Sequence, residues 1–202
     1  MKSEQKIRGV LIDNTIRLIA EGGFEKATTR AIAFSGQPLL DIKMNEAYIY
    51  RLFGSKEKLY EAAFKYIDGE IAFAFSACFQ KIISSKSDVK TKMQELFFEV
   101  WRYMLENESY FRYYTRYYYS AYFDDANLEA HLENYKGITS ALTPFFKDDV
   151  DVKAIMHSVY SAMLGLAIRV YNGYMPDTQE SAQHVYTILH QMSVVCLRDE
   201  NQ

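Results

Sequence analysis

Residues 47–59 hold the side chains that are best spaced, in this chain of 202 residues, to bind a polyanion. Their first part has apolar residues at helical spacing, which leaves Tyr48 and Arg51 facing outward. Gly54 ends this helix, and Ser55 can cap the helix that follows. The second helix offers free N–H groups and two lysines in its first turn, an arrangement suited to a phosphate group. The apolar positions are Ile49, Leu52 and Phe53, and the lysines are Lys56 and Lys58.

Two further helices must precede and position this stretch. Apolar residues at helical spacing predict the first over residues 7–21, and it closes on a glycine-phenylalanine turn. Thr28 and Thr29 can cap the second, which has an isoleucine-alanine pair within residues 30–33. Through these features, residues 7–59 resemble the TetR family of bacterial one-component transcriptional regulators.

The resemblance implies DNA contacts of two kinds. Tyr50 and Lys56 occupy positions where family members commonly contact phosphates, and the hydroxyl of Thr28 or Thr29 would add a contact. These contacts would position the protein without specifying a sequence. Outward residues of the recognition helix would face base edges, where an arginine can read guanine and a glutamate can accept from cytosine. Those residues are Asn45, Glu46, Tyr48 and Arg51.

Residues 34–43 depart from the family pattern. The family has a tight turn there, usually with glycine, whereas this segment is longer, contains Pro38 and has Lys43 in place of the turn glycine. Pro38 rules out a continuous helix, and the apolar residues after it predict that the extra residues pack down. The recognition helix is predicted to start near Asn45 and to end at residue 52 or 53. Because the turn sets the angle of groove entry, a second interpretation stays open: a TetR-fold co-regulator that binds a protein partner and has lost specific DNA binding.

Composition predicts a soluble, cytoplasmic, mostly helical protein. Three prolines and nine glycines among 202 residues favour long helices over a sheet with many turns. We expect no membrane segment, because there is no apolar run of about 20 residues and no signal-peptide core. Cys78 and Cys196 are expected to be buried thiols in a reducing cytosol. Residues 1–66 carry 11 Lys+Arg and 8 Asp+Glu, a net charge of +3 in a chain of net charge −3, so positive charge collects where DNA is expected to bind.

The rest of the chain is predicted to form amphipathic helices with short breaks. Their approximate bounds are 56–79, 89–104, 110–123, 128–146, 150–172 and 178–197. We therefore predict an all-α fold with a three-helix, helix-turn-helix DNA-binding head over residues 1–59. A helical body for effector binding and dimerisation would occupy residues 60–202.

The last two helices form the predicted homodimer interface. In TetR-like proteins, the equivalent helices of two subunits make a four-helix bundle. The alternative is that both apolar stripes face the core of their own chain. A homodimer would present two heads to the two half-sites of a pseudo-palindromic operator. The first stripe is Ile155, Val159, Ala162, Leu166 and Val170, and the second is Val185, Ile188, Leu189, Met192 and Val195.

The aromatic residues within 101–122 predict a pocket for a small, largely apolar effector. Aromatic faces with hydroxyl tips can line such a pocket and bond the few polar groups of the ligand. So many tyrosines cannot all point inward from one helix, and the others would cover the core or lie at the surface. The residues predicted to contact the effector are Trp101, Met104, Tyr113 and Tyr117.

No enzyme motif is found in the sequence. It has no Gly-rich phosphate loop, no nucleophile elbow and no H-E-x-x-H helix, and its four histidines are scattered. We expect no catalytic residue, no metal site and no cofactor. The prediction is a DNA-binding transcriptional regulator, a repressor that a small, largely apolar effector releases from a pseudo-palindromic operator. The operator sequence, the effector and the target genes are not encoded in these patterns.

Overall fold

The computed structural model of the chain describes residues 2–35 and 44–198. Most of the lengthened turn predicted for residues 34–43 lies outside these ranges, including Pro38 and Lys43. The packing of that turn therefore stays a prediction.

Within the described residues the fold is all-α, as predicted. The helices are α1 (Lys2–Gly22), α2 (Thr29–Ser35), α3 (Ala47–Phe53), α4 (Lys56–Ile83), α5 (Val89–Glu106), α6 (Glu108–Tyr118), α7 (Asp125–Leu142), α8 (Val152–Tyr171) and α9 (Gln179–Ser193). Short 3-10 turns follow α7 and α9, and an antiparallel β-bridge joins Phe146 to Leu197.

Aspartate caps fix the starts of two long helices. Asp88 accepts a hydrogen bond from the backbone N–H of Thr91 at 2.8 Å, and Asp151 accepts from that of Ala154 at 3.0 Å. Each bond satisfies an N–H group that the first turn leaves unpaired, which stabilises the start of the helix. The bonds from Thr91 also hold the pKa of Asp88 below its usual value. These caps explain why α5 and α8 begin where they do.

The chain forms two compact units. The first comprises Met1–Glu70 and Ser109–His131, and the second comprises Ile71–Glu108 and Leu132–Gln202. Helices α4 and α7 contribute residues to both units. These units group the residues differently from the domains expected at 1–59 and 60–202, and that domain boundary stays a prediction.

In the first unit, α6 supplies a buried aromatic layer. Tyr117 stacks on Phe64 of α4 with ring centroids 4.7 Å apart, and Tyr60 lies 5.3 Å from Phe24. As expected, the tyrosines of this segment divide between interior and surface, since Tyr119 is 69% exposed. The buried aromatic residues of α6 are Phe111, Tyr113, Tyr114 and Tyr117.

Two buried phenols connect α6 to the segment before α2. The Tyr113 hydroxyl donates to the carbonyl of Tyr60 at 2.7 Å, and the Tyr60 hydroxyl donates to the carbonyl of Ala27 at 2.8 Å. Burial raises the pKa of both phenols, so both stay protonated and keep their donor hydrogens. The guanidinium of Arg116 adds a third connection, because it donates to the carbonyl of Ile19 in the last turn of α1.

In the second unit, α5 packs against α8 and α9. Phe97 lies 5.4 Å from Tyr186 of α9, and the Tyr171 hydroxyl of α8 donates to the carbonyl of Met104 at 2.6 Å. Val185 and Leu189 are buried against this core. For these two residues the structure supports the alternative interpretation, that the stripe faces the core of its own chain, because α9 packs against α5 and α8.

We predict that Tyr113→Phe lowers the free energy of unfolding by about 1 kcal/mol, because it deletes one buried hydrogen bond and little else. Tyr119→Phe is the matched control, and we expect it to change stability by less than about 0.5 kcal/mol because its ring is exposed. Urea denaturation of both variants measures the difference. Equal effects would show that the Tyr113–Tyr60 bond contributes no stability.

Candidate nucleic-acid interface

Helix α1 holds the two short helices of the interface. The buried side chain of Asn14 donates to the carbonyl of Ile32 in α2 at 2.9 Å. The Arg8 guanidinium donates to the carbonyl of Leu52 in α3 and lies 4.3 Å from the ring centroid of Phe53. Sequence patterns missed both α1 residues, because each acts on a backbone carbonyl that is distant along the chain.

Helix α2 begins with the two predicted threonines in different roles. The Thr28 hydroxyl oxygen accepts from the N–H of Ala31 at 3.1 Å and so caps the helix. The Thr29 hydroxyl donates to the carboxylate of Glu46 and joins α2 to the start of α3. A hydroxyl has one hydrogen to donate. Thr29 donates its hydrogen to Glu46, whereas Thr28 acts as an acceptor and its hydrogen is not used in this bond. In this geometry, Thr28 is the better donor to a phosphate.

Helix α3 packs through its inner side and leaves its outer side accessible. Ile49 is fully buried, whereas Tyr50 is 55% exposed. The Arg51 guanidinium lies 4.6 Å from the ring centroid of Tyr48 and 3.6 Å from a carboxylate oxygen of Glu4. Asn45 accepts from the N–H of Ala47 at 3.0 Å and so helps to start the helix, close to the predicted cap. The structure thus brings the predicted base-reading residues Asn45, Glu46, Tyr48 and Arg51 together at α3, and their DNA contacts stay predictions.

The junction from α3 to α4 has the predicted break and cap. Gly54 has φ +86° and its N–H donates to the carbonyl of Tyr50 at 2.9 Å, which ends α3. Ser55 then caps α4 by accepting from the N–H of Lys58 at 3.2 Å. The Glu57 carboxylate also lies at this helix start, and hydrogen bonds from its own N–H and from Ser55 lower its pKa. The first turn of α4 is therefore less open to an anion than the sequence suggested.

Lys56 stays available beside that first turn. Its ammonium lies 5.6 Å from the ring centroid of Tyr60, and its side chain is half-buried. Because the Tyr60 ring is fully buried and the Lys56 side chain is half-exposed, such a contact is worth about 0.5–2 kcal/mol. A phosphate can compete with an interaction of that size.

The four predicted effector contacts fall in two different units. Trp101 and Met104 lie in the second unit, and Tyr113 and Tyr117 lie in the first. All four side chains are buried among protein atoms in this structure. Their role in effector binding stays a prediction.

Comparison with known proteins supports the helix-turn-helix interpretation. The sequence model of the bacterial regulatory proteins of the tetR family matches residues 11–63, which confirms the resemblance found in residues 7–59. No curated protein matches the sequence.

Solved structures share the fold over nearly the whole chain. A TetR family transcription regulator from Marinobacter aquaeolei VT8 is 18% identical, with a TM-score of 0.75 and coverage of 94% of this chain and 96% of the other. The fatty acid degradation regulator FadR from Bacillus halodurans is 16% identical, with a TM-score of 0.64 and coverage of 90% and 96%. The multidrug binding protein EbrR, solved with imidazole, is 16% identical, with a TM-score of 0.59 and coverage of 90% and 93%. At these identities the likeness shows the fold.

We predict that Gly54→Ala lowers the free energy of unfolding by about 1–2 kcal/mol, because a Cβ is strained at positive φ. An added Cβ meets no atom within 4 Å there, so the cost comes from the backbone alone. The matched control is Gly137→Ala inside α7, where the added Cβ also meets no atom within 4 Å. There, alanine should raise the free energy of unfolding by about 0.5–1 kcal/mol. Chemical denaturation measures both changes, and a stabilising Gly54→Ala would contradict the assigned conformation.

Proposed function

Since residues 11–63 place this chain in the TetR family of bacterial regulatory proteins, we propose that it represses transcription from a pseudo-palindromic operator. The proposal is supported by the exposed polar side chains on the outer side of the α2–α3 pair. There, Tyr50 and Arg51 are exposed while Ile49 is buried, so the helix is anchored by one side and presents polar groups on the other.

The polar groups on that side are held weakly enough to change partners. The Arg51–Glu4 ion pair has side chains that are 57% and 55% exposed. Exposed pairs of this kind contribute about 0–1 kcal/mol, whereas a good bidentate contact between arginine and guanine is worth about 1–3 kcal/mol. In the proposed complex Arg51 leaves Glu4 for a base, and Tyr50 and Lys56 contact the flanking phosphates.

Helix α8 supports a homodimer that reads both half-sites. It has the length and composition of a membrane span, yet only 17% of its 18-residue apolar window is buried within the chain. The residues of the first predicted stripe are all half-exposed, and Gly165 beside them is exposed. Charged residues also lie along this helix, including Lys153 and Arg169, which disfavours a bilayer as its partner. We propose a second copy of the chain as the partner of this helix, in a cytoplasmic protein.

A small effector would control the affinity for the operator. Regulators of this family bind DNA operators and small-molecule effectors. Two relatives of similar fold are a fatty acid degradation regulator and a multidrug binding protein. Helix α4 is continuous from Lys56, at the proposed DNA contact, to Ile83 in the second unit. An effector that shifts the distant part of α4 would change DNA affinity, typically by about 1–3 kcal/mol of coupling.

We predict that Arg51→Ala relaxes the preference at one base position by about 1–3 kcal/mol, whereas Lys56→Ala weakens binding to all sequences alike. Lys56→Ala should also lower the slope of log K against log salt by about 1, because one phosphate contact is lost. Titration of a duplex selected from a random pool measures both effects. Lys81→Ala, near the other end of α4, is the control and should bind as the parent does. Parent-like binding by both interface variants would contradict the proposed docking.

For the dimer, we predict that Gly165→Leu weakens self-association about tenfold or more, because a bulky side chain would separate two closely packed α8 helices. Within one chain an added Cβ at Gly165 meets nothing within 4 Å, so the folded protomer should tolerate the change. Gly137→Leu in α7 has equal space and is the matched control. Sedimentation equilibrium measures both variants. A parent protein that is monomeric at micromolar concentration would contradict the proposed interface.

A further inference from the structure

A cleft of about 130 Å³ lies between the second half of α4 and α5, within the second unit. Its apolar lining includes Phe75 and Val100, which are 6% and 8% exposed. The ring of Tyr103 meets Phe75 edge-on, with centroids 5.7 Å apart, and Cys78 also lines the cleft. Engineered cavities of roughly 150 Å³ accept benzene, so this smaller, open cleft can hold a small ring only with part of the ligand in solvent.

Charged side chains give the cleft a net negative charge. Glu99, Arg102 and Glu106 line it, so the lining side chains alone carry a net charge of −1, while the Lys81 ammonium acts on Cys78 from outside the lining. Arg102 is bound to Glu99. Glu106 is exposed and has no ion-pair partner among the residues that the structure describes. The net negative charge of the lining therefore belongs to Glu106, which lines the same cleft as Tyr103.

We propose that this cleft binds a small monovalent organic cation with one ring or a short alkyl chain. Aromatic rings attract a cation, and the exposed Glu106 carboxylate adds a Coulomb attraction. An organic anion would be repelled by the same carboxylate, and a neutral ring would gain only from the apolar lining. That this cation is the effector rests on the proposed function, whereas its binding to the cleft does not.

Three ring compounds of similar size and different charge test the chemistry of the site. We expect the full-length protein to bind benzylammonium at least tenfold more tightly than phenylacetate, with benzyl alcohol between them, in calorimetric titrations without DNA. Glu106→Gln should weaken benzylammonium binding about five- to tenfold and leave benzyl alcohol binding unchanged, since it removes charge and keeps shape. The control is Glu95→Gln, an exposed glutamate of α5 outside the cleft, which should stay within about twofold of the parent.

The half-buried thiol of Cys78 reports where the cation binds. In a Cys196→Ser variant, bound benzylammonium should slow the modification of Cys78 by a thiol reagent at least threefold. No binding at millimolar concentration, equal binding of the three compounds, unchanged affinity in Glu106→Gln or an unprotected Cys78 would overturn the proposal. Because DNA is absent, such a failure contradicts the cleft assignment and leaves the proposed DNA binding to its own test.

Discussion

The first unit depends on hydrogen bonds that longer helices make to the backbone of two helices too short to be stable alone. Helices α2 and α3 have seven residues each, whereas isolated helices below about 12–15 residues are marginal in water. Asn14 donates to α2, Arg8 donates to α3, and Tyr60 donates to Ala27 just before α2. Tyr113 in turn binds the carbonyl of Tyr60. The orientation of the helix-turn-helix is therefore set by α1, α4 and α6, and not by the local preferences of its own sequence.

This rigid inner framework contrasts with the loosely held polar groups on the outer side of α3. Inside, burial keeps the phenols protonated and each donor has one carbonyl partner. Outside, Arg51 shares its charge between an exposed carboxylate and an aromatic ring. Buried bonds fix position because breaking one leaves an unsatisfied polar group, at about 1–3 kcal/mol, whereas the outer contacts can be broken at little cost. The first unit thus combines a fixed backbone with outer side chains that can exchange one partner for another.

Local patterns in the sequence predicted the helices well, because periodicity and caps act over a few residues. The predicted bounds 89–104 and 150–172 lie within two residues of α5 and α8 at each end, and Gly54 ends α3 as expected. Such patterns do not predict contacts between residues that are distant along the chain. Nothing in the periodicity of α9 shows that Val185 and Leu189 are covered by their own unit, because a stripe reveals which side is apolar and not what packs on it. For the same reason, only the structure shows the hydrogen bonds from Arg8, Asn14 and Arg116 to distant carbonyls. It also shows that the four predicted effector contacts lie in two different units.

Selection of sequences from a random duplex DNA pool by the unmodified protein tests the central claim, that the α2–α3 pair reads DNA as one half of a dimer. The account predicts a pseudo-palindromic site with half-site centres about 34–36 Å apart or a multiple of that distance, and affinity that falls steeply with salt. A folded dimer that enriches no sequence above non-specific binding would contradict it. That result would favour a co-regulator that uses this fold to bind a protein.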